Sequence, residues 1–294
     1  MTASPHFAAA KHRDHWSIGG SFFPRVGELA STLIGLHFEA IRVSLCCVRE
    51  VGHSTTRSKK MAYNLKDEEE VKEYLKNLHI EYQFGCYNEK NPEVCHLLGD
   101  FYEAIKLDTE KAASLYKTTC DQYNYARSCA KFGDFKVIGK GCEKDILTAY
   151  KYLSKSCELN DEYGCLHAGV LGTSKTDVGE KDRATQVHAG AKYLKKACDM
   201  YNSEKACFYL SGIYLGGLEN FIEKNYKEAY KLSLKSCELG NPYACANLSQ
   251  MHSRGEGVQK NPELAATFKQ RATDLYEELT RAQQELKFHQ GIDP

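Results

Sequence analysis

The sequence has no uninterrupted apolar run long enough to cross a bilayer. Its most apolar stretch, Val26 to Val48, is broken by Glu28, His37, Glu39 and Arg42, so a span there would place several charged groups in hydrocarbon. The same stretch starts too late and is too interrupted for the apolar core of a secretory signal. Net charge is also missing, because 39 Lys and Arg balance 39 Asp and Glu. Residues 1–60 hold eight basic against four acidic side chains, and the remainder carries an excess of four acids. The body therefore offers no broad basic face for nucleic acid.

Catalytic motifs are absent too. There is no HExxH, no nucleophile elbow and no CxxC. The nearest approach to a phosphate loop, GDFKVIGKG at Gly133 to Gly141, has one residue too many, lacks Ser or Thr after Lys140 and follows a helical pattern instead of a strand. It reads as the end of a repeat. Tryptophan occurs once, as Trp16.

Cysteine, by contrast, is abundant. Thirteen are present, and ten of the eleven after Met61 form five pairs: Cys86 with Cys95, Cys120 with Cys129, Cys157 with Cys165, Cys198 with Cys207 and Cys237 with Cys245. The first members step by 34, 37, 41 and 39 residues, the length of a helix-turn-helix unit in a solenoid. The units AYKYLSKSCELND, AKYLKKACDMYN and AYKLSLKSCELGN share a helical pattern ending in Cys, an acid and a turn. Each reads as the A helix of a repeat. The B helices follow as YGCLHAGVLG, KACFYLSGIYLGG and YACANLSQMHSRGEG, with small residues where a neighbour comes close. Gly139 and Gly141, Gly216 and Gly217, and Gly255 and Gly257 supply the positive φ that ends a helix. Pro262 to Phe288 reads as a long charged helix capping the open end.

Within CELGNPYAC the turn falls at Gly240 and Asn241, with Pro242 opening the second helix. Cys237 and Cys245 then come level in an antiparallel pair. A disulfide needs Cα atoms about 4.4 to 6.8 Å apart, closer than helix axes usually lie, so it fits beside a tight turn lined by small residues such as Ala244 and Ala246. Two other readings compete. Cysteines that merely fill packed contacts as small hydrophobes should be scattered. Zinc ligands want spacings of about two to four residues and a second ligand pair, and no histidine recurs with the repeat. The spacing therefore predicts five staples within the repeats and an oxidising compartment. Cys142, in GKGCEKD, is either a free loop thiol or a buried filler. The adjacent Cys46 and Cys47 make a strained pair and join it as free-thiol candidates.

Residues 1–60 show no sustained helical period, and their Ser, Thr, Gly and five His suit disorder with one short helix around Leu29 to Val48. They read as an upstream extension, a gene-model artefact before a well-formed start at Met61, or a weak mitochondrial targeting segment against which the acids count. Residues 61–288 form the repeat domain and 289–294 a tail.

The segment KEAYKLSLKSCELGNPYACANLSQMHSRGEGVQKNPELA resembles a Sel1-like repeat, with Cys at two positions that usually hold small residues. From Met61 to Phe288 the chain is similar to the cysteine-rich branch of that family. The resemblance implies an all-α fold, a right-handed α/α solenoid of five disulfide-stapled, TPR-like repeats with a C-terminal capping helix. It also implies a soluble factor of the mitochondrial intermembrane space, imported without a cleaved presequence and folded by that compartment's disulfide relay oxidoreductase. Such a factor serves assembly of respiratory complex IV. The leading expectation is a non-enzymatic scaffold whose concave face holds complex IV subunits or copper chaperones, with no membrane span. Tyr116, Tyr150, Tyr193 and Tyr230 are candidate contacts, with core packing as the competing reading.

The alternative is a thiol-disulfide reductase or haem-binding factor acting on copper chaperones. It lacks an activated thiolate, and His79, His96, His167 and His252 share no ligand-like spacing. No catalytic, metal or cofactor-binding residue is assigned. A third reading, a secreted cysteine-rich Sel1-like protein, needs a signal peptide, and its sequon Asn247-Leu248-Ser249 falls inside a B helix.

Overall fold

The computed structural model describes Tyr63 and residues 67–289, with side chains of the last helix described to residue 282. The chain divides into two units, Met1–Lys59 and Lys60–Pro294, and the described residues all belong to the second. Among the described residues eleven helices follow one another: α1 Glu68–Tyr87, α2 Pro92–Ala104, α3 Thr109–Tyr123, α4 Ala126–Ile138, α5 Ile146–Glu158, α6 Glu162–Thr173, α7 Arg183–Tyr201, α8 Glu204–Gly216, α9 Tyr226–Glu238, α10 Pro242–Arg254 and α11 Pro262–His289. Among the described residues the sole β feature is an isolated bridge between Leu218 and Ile222. No described helix is long and apolar enough to cross a membrane.

Most of the helices start where a short polar side chain satisfies backbone donors that have no partner within the helix, α4 and α8 being without such a cap. Asp67 accepts from the amides of Glu69 and Glu70, Asp145 from Thr148, Asp161 from Gly164 and Asn225 from Glu228. Asn91 and Asn241 do the same ahead of Pro92 and Pro242, whose missing amide is harmless at a first helical position. The Gly-Xaa-Gly segments divide their work. Gly139 and Gly255 stop α4 and α10 in the left-handed region. Gly141 and Gly257 press against the first residues of α3 and α9, Thr109 and Tyr226, so closely that any Cβ would strike their backbones. At the adjacent pair Gly216 and Gly217, Gly217 takes the positive φ, while Gly216 remains the last residue of α8.

Neighbouring helices pack in sequence order, each A helix on its own B helix and each B helix on the next A helix. Because each repeat contacts only its neighbours, the core runs along the stack as clusters that span adjacent repeats. Leu98, Tyr116 and Phe135 fill it near one end, Leu153, Leu194, Leu210 and Ile213 in the middle, and Leu248 and Met251 beneath α11. Tyr116 meets Phe135 edge to face at 5.4 Å, and Phe132 meets Tyr152 at 4.6 Å.

Candidate functional site

The structure joins the cysteines in five staples: Cys86 to Cys95, Cys120 to Cys129, Cys157 to Cys165, Cys198 to Cys207 and Cys237 to Cys245. Their Cα atoms lie between 4.3 and 4.8 Å apart, which only the narrow end of a helical hairpin allows. Gly164 shows how the approach is achieved, since a Cβ there would collide with the side chain of Ser156.

The residues just before each A-helix cysteine add a second set of ties, between repeats. Lys155 Nζ donates to the carbonyl of Cys120, Lys196 to that of Cys157 and Lys235 to that of Cys198, at 2.6 to 2.9 Å. Ser156 and Ser236 donate to the carbonyls of Ala126 and Glu204, the first residues of the preceding B helices. A C-terminal carbonyl carries the negative end of its helix dipole, so a lysine there is favourably placed. Sequence reading missed these ties, although the repeated Lys-Ser before Cys was their signal.

The junction of the first two repeats differs, because Thr118 stands where the lysine would be. A cavity of about 370 Å³ opens there, lined by Cys86, Tyr87, Cys95, Leu115 and Thr118 among others. Cys86 and Cys95 are 5% and 3% exposed, whereas the other eight bonded cysteines are at 0% or 1%. Access controls thiol attack, so Cys86–Cys95 is expected to open first under limiting reductant. Trapping new thiols with a mass-tagged alkylator and digesting without reduction reads the order directly. Earlier opening of any other pair refutes the assignment.

Cys142 is the one unbonded cysteine among the described residues. It lies half-buried against the first core cluster, and burial pushes its thiol up from the ordinary value. A redox nucleophile needs the opposite shift. Cys46 and Cys47 lie outside the described residues.

The four histidines weighed for haem turn inward. His79 Nε2 is 3.2 Å from the Tyr102 hydroxyl and its ring stacks on Phe101. His96 Nδ1 is 2.9 Å from Ser128 Oγ, His167 packs on Tyr163, and His252 Nε2 is 3.3 Å from the Tyr230 hydroxyl. No group of three or more His, Cys, Asp or Glu among the described residues is arranged to hold a metal. The four tyrosines sit in or against the core clusters; Tyr150 and Tyr230 each stand seven residues before their A-helix cysteine, Tyr193 five and Tyr116 four. Tyr116 and Tyr150 are buried, whereas Tyr193 and Tyr230 are partly buried.

Several buried groups contribute to the pH response, His167, which burial pushes down to about 4, among them. Burial pushes Asp134 up to about 7 despite the hydrogen bond with Tyr163 that opposes the shift, and burial pushes His96 down to about 4. Between about pH 4 and 7 the folded state holds the Asp134 proton that the unfolded chain releases, so this group's contribution falls as pH rises. His96 acts oppositely, its contribution being lost as pH falls from 6.5 toward 4. Asp134→Asn is therefore expected to gain more stability over the parent at pH 8 than at pH 5, measured by urea unfolding. An equal difference at both pH values overturns this.

A family model for the Sel1 repeat matches residues 92–124, 121–161, 185–202, 204–241 and 242–275. Most of these matches pair a B helix with the following A helix, so that they cross the staples' hairpins out of phase. The chain is 42% identical to the cytochrome c oxidase assembly factor 7 homolog of Drosophila melanogaster, covering 79% of this chain and 98% of that protein. It is 38% identical to cytochrome c oxidase assembly factor 7 of Xenopus tropicalis and 35% identical to that of Homo sapiens, each covering 76% of this chain and 97% of the relative. Among solved structures, a Sel1 repeat protein from Oxalobacter formigenes superposes with a TM-score of 0.60 at 18% identity, covering 70% of this chain and 82% of that one. The Escherichia coli protective antigen c5321 superposes with a TM-score of 0.58 at 16% identity, covering 85% and 56%. Both share the fold.

Proposed function

The chain belongs to the Sel1 repeat family and to the cytochrome c oxidase assembly factor 7 family, and from that premise we propose that it helps to build respiratory complex IV. The observation that carries the reading is the match to relatives bearing that name over nearly their whole length. The working compartment is the mitochondrial intermembrane space, a reading supported by five buried staples that a reducing cytosol would not maintain. A disulfide relay oxidoreductase forms those bonds during import. The repeat domain, residues 61–288, then acts without catalysis as a scaffold for complex IV subunits or copper chaperones. Its rigidity supports this: a stapled surface is preformed, so a client meets it without an ordering cost.

The test is depletion of the protein in cells of its own source, followed by native-gel assembly and activity measurements of complex IV beside another respiratory complex. Selective loss of complex IV, restored by the wild-type chain, is expected. Unchanged complex IV overturns the role. Protease sensitivity only after rupture of the outer membrane is the expected result for location, and full sensitivity in intact mitochondria overturns it.

A further inference from the structure

Three of the largest exposed apolar side chains lie on one face of α1: Ile80, Phe84 and Tyr87, at 56%, 55% and 57% exposure. Their spacing of four and then three residues forms a continuous stripe on a helix. Counted from the A-helix cysteine, they stand six and two residues before it and one after. The same three positions hold Ser114, Thr118 and Asp121 in the second repeat and Lys151, Lys155 and Glu158 in the third. The fourth repeat holds Lys192, Lys196 and Asp199, and the fifth Lys231, Lys235 and Glu238. A stripe that is polar four times has become apolar once.

The position of Phe84 is informative. In the last three repeats the lysine found there reaches the cysteine carbonyl of the neighbouring repeat, so this side of an A helix is the side on which another helix docks. On α1 no described repeat precedes it. The cavity beside Cys86 meets the stripe only at Tyr87 and otherwise lies between the first and second repeats, where Ser114 and Thr118, the second repeat's residues at the stripe positions, line it. Lys111 on its rim is engaged by Asp108 at 2.7 Å. Residues 67–87 carry six acids against two lysines, and Lys72 is held by Glu68 and Glu69.

We infer that the Ile80, Phe84 and Tyr87 face of α1 docks an amphipathic helix of a partner protein, one with an apolar row flanked by Lys or Arg. The apolar row seats on the stripe, and the basic flanks meet the acidic excess of α1. The inference names a surface of the scaffold proposed above and rests on that reading.

The test uses the full chain, oxidised, and a synthetic amphipathic peptide of about 18 residues, long enough for several helical turns, with Leu at helical spacing and Lys on both flanks. A twin peptide carries Glu in place of Lys. The basic peptide is expected to bind, more weakly as salt rises, and the acidic twin to bind at least about tenfold more weakly. Replacing the stripe by the second repeat's own residues (Ile80→Ser, Phe84→Thr, Tyr87→Asp) should weaken the basic peptide by about tenfold or more with helicity unchanged. Phe84→Thr alone, a milder change that keeps the fold, should weaken it in the same direction. Leu279→Ser, an exposed site on α11, should leave it unchanged.

No binding of the basic peptide, equal binding of both peptides or equal binding by the stripe variants overturns the inference. So does a concentration-dependent dimer abolished by the triple change, because a second copy then covers the stripe. A variant that loses the peptide yet restores complex IV in depleted cells refutes the surface as the working contact and leaves the assembly role standing.

Discussion

Complete reduction of the five staples is expected to melt most of the solenoid near about 37 °C, read as loss of helical circular dichroism after thiol counting has verified the reduction. Each bond closes a loop of eight or nine residues, and the chain-entropy model assigns about 2.6 kcal/mol to such a loop. Five give about 13 kcal/mol as an upper limit, comparable with the whole stability of a typical domain at about 5 to 15 kcal/mol. One opposing effect is that reduced cysteines still pack as small hydrophobes, and the buried ones keep their contacts. Packing therefore persists while closure is lost. Closure wins because a repeat has little stability alone and depends on its neighbours, so loosening every hairpin weakens every interface.

Opening a single pair separates these effects. Cys157→Ala with Cys165→Ala, in the middle of the stack, is expected to cost about 2 to 4 kcal/mol in denaturant unfolding. If the verified reduced protein keeps its helicity and its midpoint, the staples are ornaments and the compartment argument fails with them.

The sequence made the repeat visible because cysteine marks a register. Pairs of thiols eight or nine apart, the first member followed by a turn and in four of the five by an acid as well, fix where one helix ends and the next begins. Proline at the first helical position and the Gly-Xaa-Gly stops confirmed those ends. The lysine ties were harder to foresee. They join residues 35 to 39 apart, and such contacts depend on how far each repeat rotates upon the last. Asp134 and Tyr163 present the same difficulty, being partners only once α4 and α6 are packed. The apolar stripe of α1 was within reach, since aligning the A helices on their cysteines exposes Ile80 and Phe84 as departures. Residues 1–60, with their expected short helix, lie outside the described residues.

The second large effect concerns the crossing of α6 and α7. Gly172 and Gly190 meet backbone to backbone, and a Cβ on Gly190 would stand 2.7 Å from the Gly172 carbonyl carbon and the Thr173 amide nitrogen. Neither neighbour is a flexible side chain, so the helices must part. Parting them would also disturb Gln186, whose amide donates to the carbonyls of Gly172, Ser174 and Thr176 at 2.8 to 3.3 Å. Alanine in place of a helical glycine gains at most about 1 kcal/mol from propensity, against a cost of about 1 to 3 kcal/mol for overpacking. Gly190→Ala is therefore expected to destabilise by about 1 to 2 kcal/mol, and Gly190→Leu by about 3 kcal/mol or more. Gly212, within α8, has nothing within 4 Å of its would-be Cβ, so Gly212→Ala should stabilise by about 0.5 to 1 kcal/mol. Urea midpoints of the oxidised variants measure all three. Opposite signs for the two alanine changes are the signature of a crossing held at backbone contact. A gain at Gly190 equal to that at Gly212 would mean the helices are free to separate there, and the close approach would explain nothing about why these positions are glycine.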